Sequence, residues 1–510
     1  MAPLEPADTI RSLIAHGAAD APAIGAPGRP WLTHGALRNL AERTVAALNG
    51  FGIGRDERVA LVLPNGPEAA TTFLAVGCGA TTAPLNPAYK QDEFAFYMAD
   101  LNARALVVLD GADTPARAAA ASLGVPVLTV VPGAAAGDFF LRSEAGLAGT
   151  AEKPGMAGSE DVALVLHTSG TTSRPKIVPL RHRNVVASAG NIGRVLALTP
   201  DDVCLNIMPL FHIHGLIAAT LASVAAGASV CCTTGFNAFR FFVWFAEARP
   251  TWVTAVPTMH QALLPFAERH REVLAGSRLR LLRSSSASLP PPVMLALEAA
   301  FGVPVIESYG MTEAAHQMAS NPLPPAPRYP GSVGVAAGPE IAIMDADGAL
   351  LAAGEPGEVV IRGRNVTTGY EANPEANAKA FTNGWFRTGD EGFLDAHGYL
   401  RLTGRLKEII NRGGEKISPL EVDAVLLDHP AVQQAVTFAM PHQKLGEEVA
   451  AAVVLRPDTQ VDEAGLREFA GQRLAAFKVP RRIVFLGEIP KGATGKLQRI
   501  GLAARLGLSA

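Results

Sequence analysis

Cysteine is scarce in this chain. Four occur in 510 residues, Cys78, Cys204 and the pair Cys231-Cys232, and no two stand at C-x-x-C spacing. That excludes a disulfide framework and the usual zinc signatures, and it fits a reducing compartment, so a cytoplasmic location is expected. Charge of one sign is missing too. The net formal charge is −3 with only 18% charged residues, so no global field draws in nucleic acid or an anionic membrane. The first residues, Met-Ala-Pro-Leu-Glu-Pro-Ala-Asp, lack a basic segment followed by an apolar core, and the last, Leu-Gly-Leu-Ser-Ala, are not a Ser-Lys-Leu address. Neither a signal peptide nor a peroxisomal signal is therefore expected. Between Val203 and Phe239 no Asp, Glu, Lys or Arg occurs, and the part from Gly215 to Cys232 has the length to span a bilayer. It is rich in Ala, Gly and Thr instead of Leu, and Asn206, Pro209, His212 and His214 precede it. It reads as a buried helix followed by a buried strand, without membrane insertion.

What is present is apolar substance in an alternating order. Hydrophobic residues make up 48% of a chain too long for one core, which implies at least two domains. Strand-like runs such as Val59-Ala-Leu-Val-Leu63, Ala105-Leu-Val-Val-Leu109 and Trp252-Val-Thr-Ala-Val256 alternate with helical patterns such as Glu68 to Gly77. This predicts an α/β fold, with doubly wound subdomains in a large N-terminal part. After the proline-dense stretch 322–330 the pattern turns β-rich, at Glu340–Asp345, Gly357–Arg362 and Tyr399–Leu402. A compact α+β module of about a hundred residues follows, a normal domain size. Its helices are expected at Pro419–Leu427 and Glu463–Leu474, its strands at Val432–Met440, Val449–Leu455 and Ile483–Leu486. The boundary is expected near Arg405, dividing residues 1–404 from 405–510.

The most informative stretch is Thr168-Ser-Gly-Thr-Thr-Ser-Arg-Pro-Lys176, which follows the apolar run Val162–Leu166. Five hydroxyls, one glycine and a closing lysine after a buried strand suit a loop that wraps a polyphosphate. It is not a Walker A loop. Further on, Ser308-Tyr-Gly-Met-Thr-Glu313 offers a flat aromatic face at Tyr309, an oxygen donor at Thr312 and a hard carboxylate at Glu313 suited to Mg²⁺. Its local pattern reads as a strand running into a helix. Thr388-Gly-Asp390 places an acid after a tight turn, where it can grip ribose hydroxyls. Gly404-Arg-Leu-Lys-Glu-Ile-Ile-Asn-Arg-Gly-Gly414 and Pro490-Lys-Gly-Ala-Thr-Gly-Lys496 complete the set. Each motif alone has a commoner meaning as a turn, a cap or a solvated charge.

In this order and spacing, from about Pro22 to Arg499, the motifs resemble the acyl-adenylate-forming superfamily of acyl-CoA synthetases, 4-coumarate–CoA ligases, beetle luciferases and peptide-synthetase adenylation domains. The resemblance implies an acid–thiol ligase that uses ATP, Mg²⁺ and coenzyme A, releasing AMP and pyrophosphate. It implies a mobile C-terminal domain that carries the catalytic lysine. It further implies that Thr168, Ser169, Gly170, Thr171, Thr172 and Lys176 hold the β- and γ-phosphates. Tyr309 would stack on adenine with Ser286 and Ala287 at its edge, and Thr312 would contact the α-phosphate. Glu313 would bind Mg²⁺, and Asp390 and Arg405 would hold the ribose. Lys407 would be the hinge residue, Lys496 the lysine of adenylation, Gly414 the border of the pantetheine tunnel, and His212 the gate of the acid site. The loop departs from the family pattern at Ser173, where a glycine is usual.

The acid pocket is expected behind His212 and beside the segments 284–289 and 309–313. Those segments are polar, and Ser286, His212, His214 and His316 are expected to converge on a short cavity. His316, three residues beyond Glu313, would share a helix with it. A second carboxylate would find donors there, whereas a long alkyl chain would leave polar groups unsatisfied. Together with the 168–176 loop, the run Ser308 to Pro324 resembles the oxalate–CoA ligase branch, which implies oxalate as the acid. Malonate, medium-chain fatty acids and aryl acids are the alternatives, as are loading of a carrier protein and a catalytically dead binding protein on the same fold.

Overall fold

The computed structural model describes residues 8–168, 175–491 and 497–508. Among these residues the strands form four sheets, of nine, seven, five and five strands. In the seven-stranded sheet Val127–Pro132, Ala105–Leu109, Arg58–Val62, Thr81–Pro84 and Val162–Thr168 run parallel, and Phe139–Ser143 and Lys176–Arg181 close the two edges antiparallel. In the nine-stranded sheet the parallel run is Ser229–Cys232, Val203–Asn206, Trp252–Ala255, Leu281–Ser284 and Val305–Met311. The near-continuous apolar character of these segments is what parallel strands covered on both faces require. Helix Pro67–Gly77 is buried at every residue but Glu68 and packs against strands of both sheets, which joins them in one core.

The uncharged stretch is a strand (Val203–Asn206), a π-helix (His214–Leu221), one α-helical turn (Ala222–Ala225) and a second strand (Ser229–Cys232), all buried but Ala225. No helix among the described residues is long and apolar enough to cross a membrane. The four cysteines are buried and unpaired. A π-helix is a rare element, frequently found at functional sites, and this one begins on His214.

The β-rich part is a meander of Glu340–Met344, Gly357–Arg362, Trp385–Leu394 and Leu400–Arg405, with Phe381–Thr382 on its margin; Asp390 stands opposite Arg405. Beyond Arg405 the next strand, Ile410–Arg412, belongs to a different sheet with Glu415–Ile417, Val432–His442, Gly446–Leu455 and Arg482–Phe485. This tail has its own core, in which Ile410, Val422, Leu426, Val449, Leu466 and Ile483 are buried together.

One expectation is overturned. Glu313 and His316 do not share a helix. Thr312–Ala314 is a single 3₁₀ turn, Ala315 takes φ +48°, and His316 opens a strand, His316–Ser320, that runs back antiparallel to Val305–Met311 with Met311 opposite His316. The run Thr-Glu-Ala-Ala-His-Gln-Met-Ala favours a helix by propensity, but pairing with a buried strand outweighs it. Gly310 permits the tight return, because a Cβ there would lie 1.8 Å from the His316 carbonyl oxygen.

Candidate active site

Three groups of side chains meet where the strand Val305–Met311 ends. The first is built on Asp390. Its Oδ2 accepts from the Tyr309 hydroxyl at 2.5 Å, and its Oδ1 lies 3.2 Å from Nε of Arg405, its opposite number across the meander. The Thr388 hydroxyl accepts from the Asp390 backbone N–H at 3.1 Å and Gly389 takes φ +74°, so the turn aims the carboxylate at the tyrosine. Burial lifts the Tyr309 phenol well above its usual range, and the Asp390 charge adds to that, so the hydroxyl stays a donor. Arg405 itself remains largely exposed.

The second group surrounds Glu313, a buried carboxylate on the 3₁₀ turn. The Tyr370 hydroxyl donates to its Oε1 at 2.8 Å, and the Lys176 ammonium lies 4.3 Å from the centre of the Tyr370 ring. Lys176 pairs with Thr168 across the hairpin whose connection is the hydroxyl-rich loop. Thr367 N–H donates to the Glu313 carbonyl at 2.7 Å, and the Asn365 amide donates to Ala314 and Gln317 carbonyls at 2.8 and 2.9 Å, which pins the turn. Burial raises the Glu313 pKa, while the Tyr370 hydroxyl, Arg405 and Lys176 pull it down. These contributions tie the first two groups into one electrostatic unit. Ser169, Gly170, Thr171, Thr172, Ser173 and Lys496 lie outside the described residues; Lys491 and Leu497 form a bridge on either side of the segment holding Lys496.

Glu313 suits a divalent ion of the Mg²⁺ kind. It is a hard, poorly solvated carboxylate, and one or two such groups with phosphate oxygens and water make up a usual Mg²⁺ shell. Among the described residues no cluster of three or more His, Cys, Asp or Glu forms a metal cage, so the remaining ligands would have to come from a nucleotide.

The third group is polar and almost wholly buried. His214 Nδ1 lies 3.0 Å from the Ser286 hydroxyl and its Nε2 2.6 Å from the Thr254 hydroxyl. The His316 ring meets the His214 ring edge to face at 4.9 Å between centroids. The His214 backbone N–H points to His212 Nδ1 at 3.4 Å, and His212 and Ser286 are the partly exposed members. The side chains of Ser286, His214 and His316 thus lie together, and His212 joins them through the His214 backbone. Ser286 (φ +73°) and His316 (φ +105°) both sit in the left-handed region, an unfavourable conformation for side chains of their kind that the surrounding contacts sustain. Ala287 is exposed on the lip of the same bend, and the Leu289 N–H is held by the buried Glu307 carboxylate at 2.9 Å.

Three residues at these sites stand outside the motifs, Thr254, Tyr370 and Arg283, and Gln317 stands inside the 308–324 run with no role expected of it. Arg283 is fully buried, in the middle of the parallel sheet; it donates to Thr254 Oγ1 at 3.3 Å and to Gln317 Oε1 at 3.2 Å. Burial pulls its pKa down to about 9, which leaves it cationic at neutral pH. The signal was a charge inside an apolar strand, Leu281-Leu-Arg-Ser284, a position where arginine is costly without a purpose. Lys407 lies in the exposed turn after Arg405, where Glu408 and Ile409 N–H both return to the Arg405 carbonyl. Gly414 (φ +100°) is in the turn between Ile410–Arg412 and Glu415–Ile417, and a Cβ there would meet nothing within 4 Å.

Residues 14–371 match the family described as AMP-binding enzyme, and residues 421–496 the AMP-binding enzyme C-terminal domain. The chain is 46% identical over 507 residues to a probable CoA ligase, CCL9, of Humulus lupulus, with 96% of this chain and 95% of the other covered. It is 45% identical over 508 residues to an oxalate–CoA ligase of Arabidopsis thaliana, covering 96% and 97%. It is 37% identical over 506 residues to a sulfoacetate–CoA ligase of Cupriavidus necator, covering 97% of each. Among solved structures, ATP-bound MatB from Rhodopseudomonas palustris aligns over 98% of both chains with TM-score 0.88 and 29% identity. The same two-part α/β architecture, the same order of motifs and relatives that are CoA ligases along their whole length lead to one conclusion: this chain belongs to the AMP-binding enzyme family, as an acid–CoA ligase of the AMP-forming type.

Proposed function

We propose that this ligase activates oxalate with ATP and passes the oxalyl group to coenzyme A. The observation that carries the reading is the third group: a polar cluster in which His214, Ser286 and His316 meet beside a buried arginine. A second carboxylate is stabilised by such donors, and an alkyl or aryl tail would strip them of partners. The oxalate–CoA ligase relative supports the same choice. A two-carbon acid with a sulfonate is the second reading, favoured by the sulfoacetate ligase relative.

In the first step a carboxylate oxygen bonds to the α-phosphorus of ATP as the bond to the bridging oxygen breaks, leaving acyl-adenylate and pyrophosphate. The acid is already ionised at neutral pH, so no general base is needed. The barrier is the meeting of anion with polyanion, and preorganised cations lower it. In our reading the 168–176 loop with Lys176 cradles the outer phosphates, Thr312 contacts the α-phosphate, and Lys496 reaches the reacting oxygens. Glu313 would hold Mg²⁺, whose contribution when bound is to neutralise phosphate charge. Tyr309 stacks on adenine, and Asp390 and Arg405 hold the ribose. In the second step the thiol of CoA attacks the acyl carbon and AMP leaves. Residues 405–510 then act as a mobile domain that turns about Lys407 and brings Gly414 to the pantetheine channel; the separate core of the tail supports that division.

The test is release of AMP from ATP with oxalate, malonate, sulfoacetate, acetate, octanoate and 4-coumarate, each with and without CoA. Oxalate should give the highest kcat/KM. A preference for octanoate or 4-coumarate overturns the reading; a preference for sulfoacetate replaces oxalate with the second acid.

A further inference from the structure

Arg283 is completely buried, and among the described residues no carboxylate pairs with it. Its guanidinium is held by neutral groups instead, Thr254 Oγ1 at 3.3 Å and Gln317 Oε1 at 3.2 Å, and one of its nitrogens, Nη1, faces His214 Nε2 at 3.5 Å. A guanidinium can only donate. The ring nitrogen it faces must therefore present a lone pair. Thr254 is compatible with this assignment: its oxygen accepts from Arg283, and its own hydrogen is available to His214 Nε2 at 2.6 Å. With Nε2 unprotonated, the neutral ring carries its hydrogen on Nδ1, and Nδ1 donates to Ser286 Oγ at 3.0 Å. Ser286, having accepted that bond, keeps its own hydrogen for a ligand. In the opposite tautomer Ser286 would spend its hydrogen on His214 and turn only lone pairs to an anion.

We infer that Arg283 is the positioning residue of the acid pocket: it locks His214 in the Nδ1–H form so that Ser286 donates to the distal carboxylate, and it supplies the uncompensated charge that favours a dianion over a monoanion of the same size. The relay runs from Gln317 to Arg283, Thr254, His214 and Ser286, and only Ser286 is shared with the expected adenine edge. This rests on the oxalate reading, which it deepens by naming the charge of the acid as what is selected.

Oxamate is the probe. It has the size of oxalate, one negative charge fewer, and an amide in place of the second carboxylate. In wild-type enzyme kcat/KM for oxalate should exceed that for oxamate by about tenfold or more, the scale of a charge-assisted hydrogen bond. Arg283→Met should raise the oxalate KM about 10- to 100-fold, leave the ATP KM within about twofold, and erase the preference over oxamate. Arg283→Lys keeps a charge but not the fork, and should recover part of the preference. Gln317→Glu puts a carboxylate beside Arg283, so the cation is neutralised without being removed. It should raise the oxalate KM while leaving oxamate nearly unchanged, a result that a purely structural role of Arg283 does not produce. If Arg283→Met does not fold, the other two variants decide. In ¹⁵N spectra of the wild-type enzyme, His214 should show a protonated Nδ1 and a bare Nε2. A protonated Nε2, or unchanged oxalate preference in Arg283→Met or, where that does not fold, in both other variants, overturns the inference and leaves the oxalate reading standing. Wild-type enzyme that takes acetate as well as oxalate overturns the oxalate reading and the charge selection together, while the tautomer is still judged by the spectrum.

Discussion

The Tyr370 hydroxyl sits 2.8 Å from a carboxylate oxygen of Glu313, and no motif of the chain announces it. The bond favours the ionised carboxylate, against burial, which favours the protonated one. Tyr370→Phe should therefore move the Glu313 pKa upward and shift the acid limb of the pH–kcat/KM profile for ATP to higher pH, with a loss of about tenfold near the limb. An acid limb at the same pH in both enzymes rejects this role for Tyr370.

Asp390 holds Tyr309 and Arg405 with its two oxygens, and under the proposed function it serves the nucleotide end and not the acid end. Asp390→Ala should raise the KM for ATP about 10- to 100-fold and leave the KM for oxalate within about threefold. A matching rise for both substrates contradicts the division of the cleft argued above.

Glu307 makes stability depend on pH. Burial pushes its carboxyl from 4.5 up to about 8, opposed by the bond from Leu289 N–H. The folded form then keeps a proton that the unfolded chain releases. Its contribution is fully present below about pH 4.5, falls as pH rises, and is lost above about pH 8, with a slope of up to about 1.4 kcal/mol per pH unit. Glu307→Gln removes the group and should flatten that part of the curve. Urea unfolding of the large domain at pH 5, 6.5 and 8 measures it, and parallel curves for the two proteins contradict the assignment.

The two half-reactions separate the two ends of the tail. Lys496→Ala should lose adenylate formation yet still convert supplied acyl-adenylate and CoA to thioester. Gly414→Leu should do the reverse. A Cβ there meets nothing within 4 Å, so the expected cost is the local strain of φ +100°, about 1–2 kcal/mol. Loss of the same half-reaction in both variants rejects the two-orientation scheme.

Much of the fold was readable beforehand because burial leaves a periodic mark. Strands such as Ala105–Leu109 and Gly357–Arg362, and the helix Pro419–Leu427, have the bounds their apolar runs indicate. The helix expected over Glu463–Leu474 stops three residues early, at Gly471, and the one expected after Thr312 is a strand. In the second case a favourable local propensity yields to a ladder with a strand already buried in the sheet, and propensity carries no information about that partner.

By itself the order of residues determined the two-part α/β architecture, the loop of hydroxyls ending in Lys176, and the polar character of the segments around Ser286 and His316, since each is written in local composition. Only the tertiary structure decided which groups touch. It set Tyr370 on Glu313, Tyr309 on Asp390, and Arg283 behind His214 and Ser286, pairs up to 81 residues apart in the chain. A hydrogen bond or a buried charge depends on distances of a few ångströms, and those are fixed by sheet order and backbone turns such as the φ +105° of His316, not by spacing along the sequence.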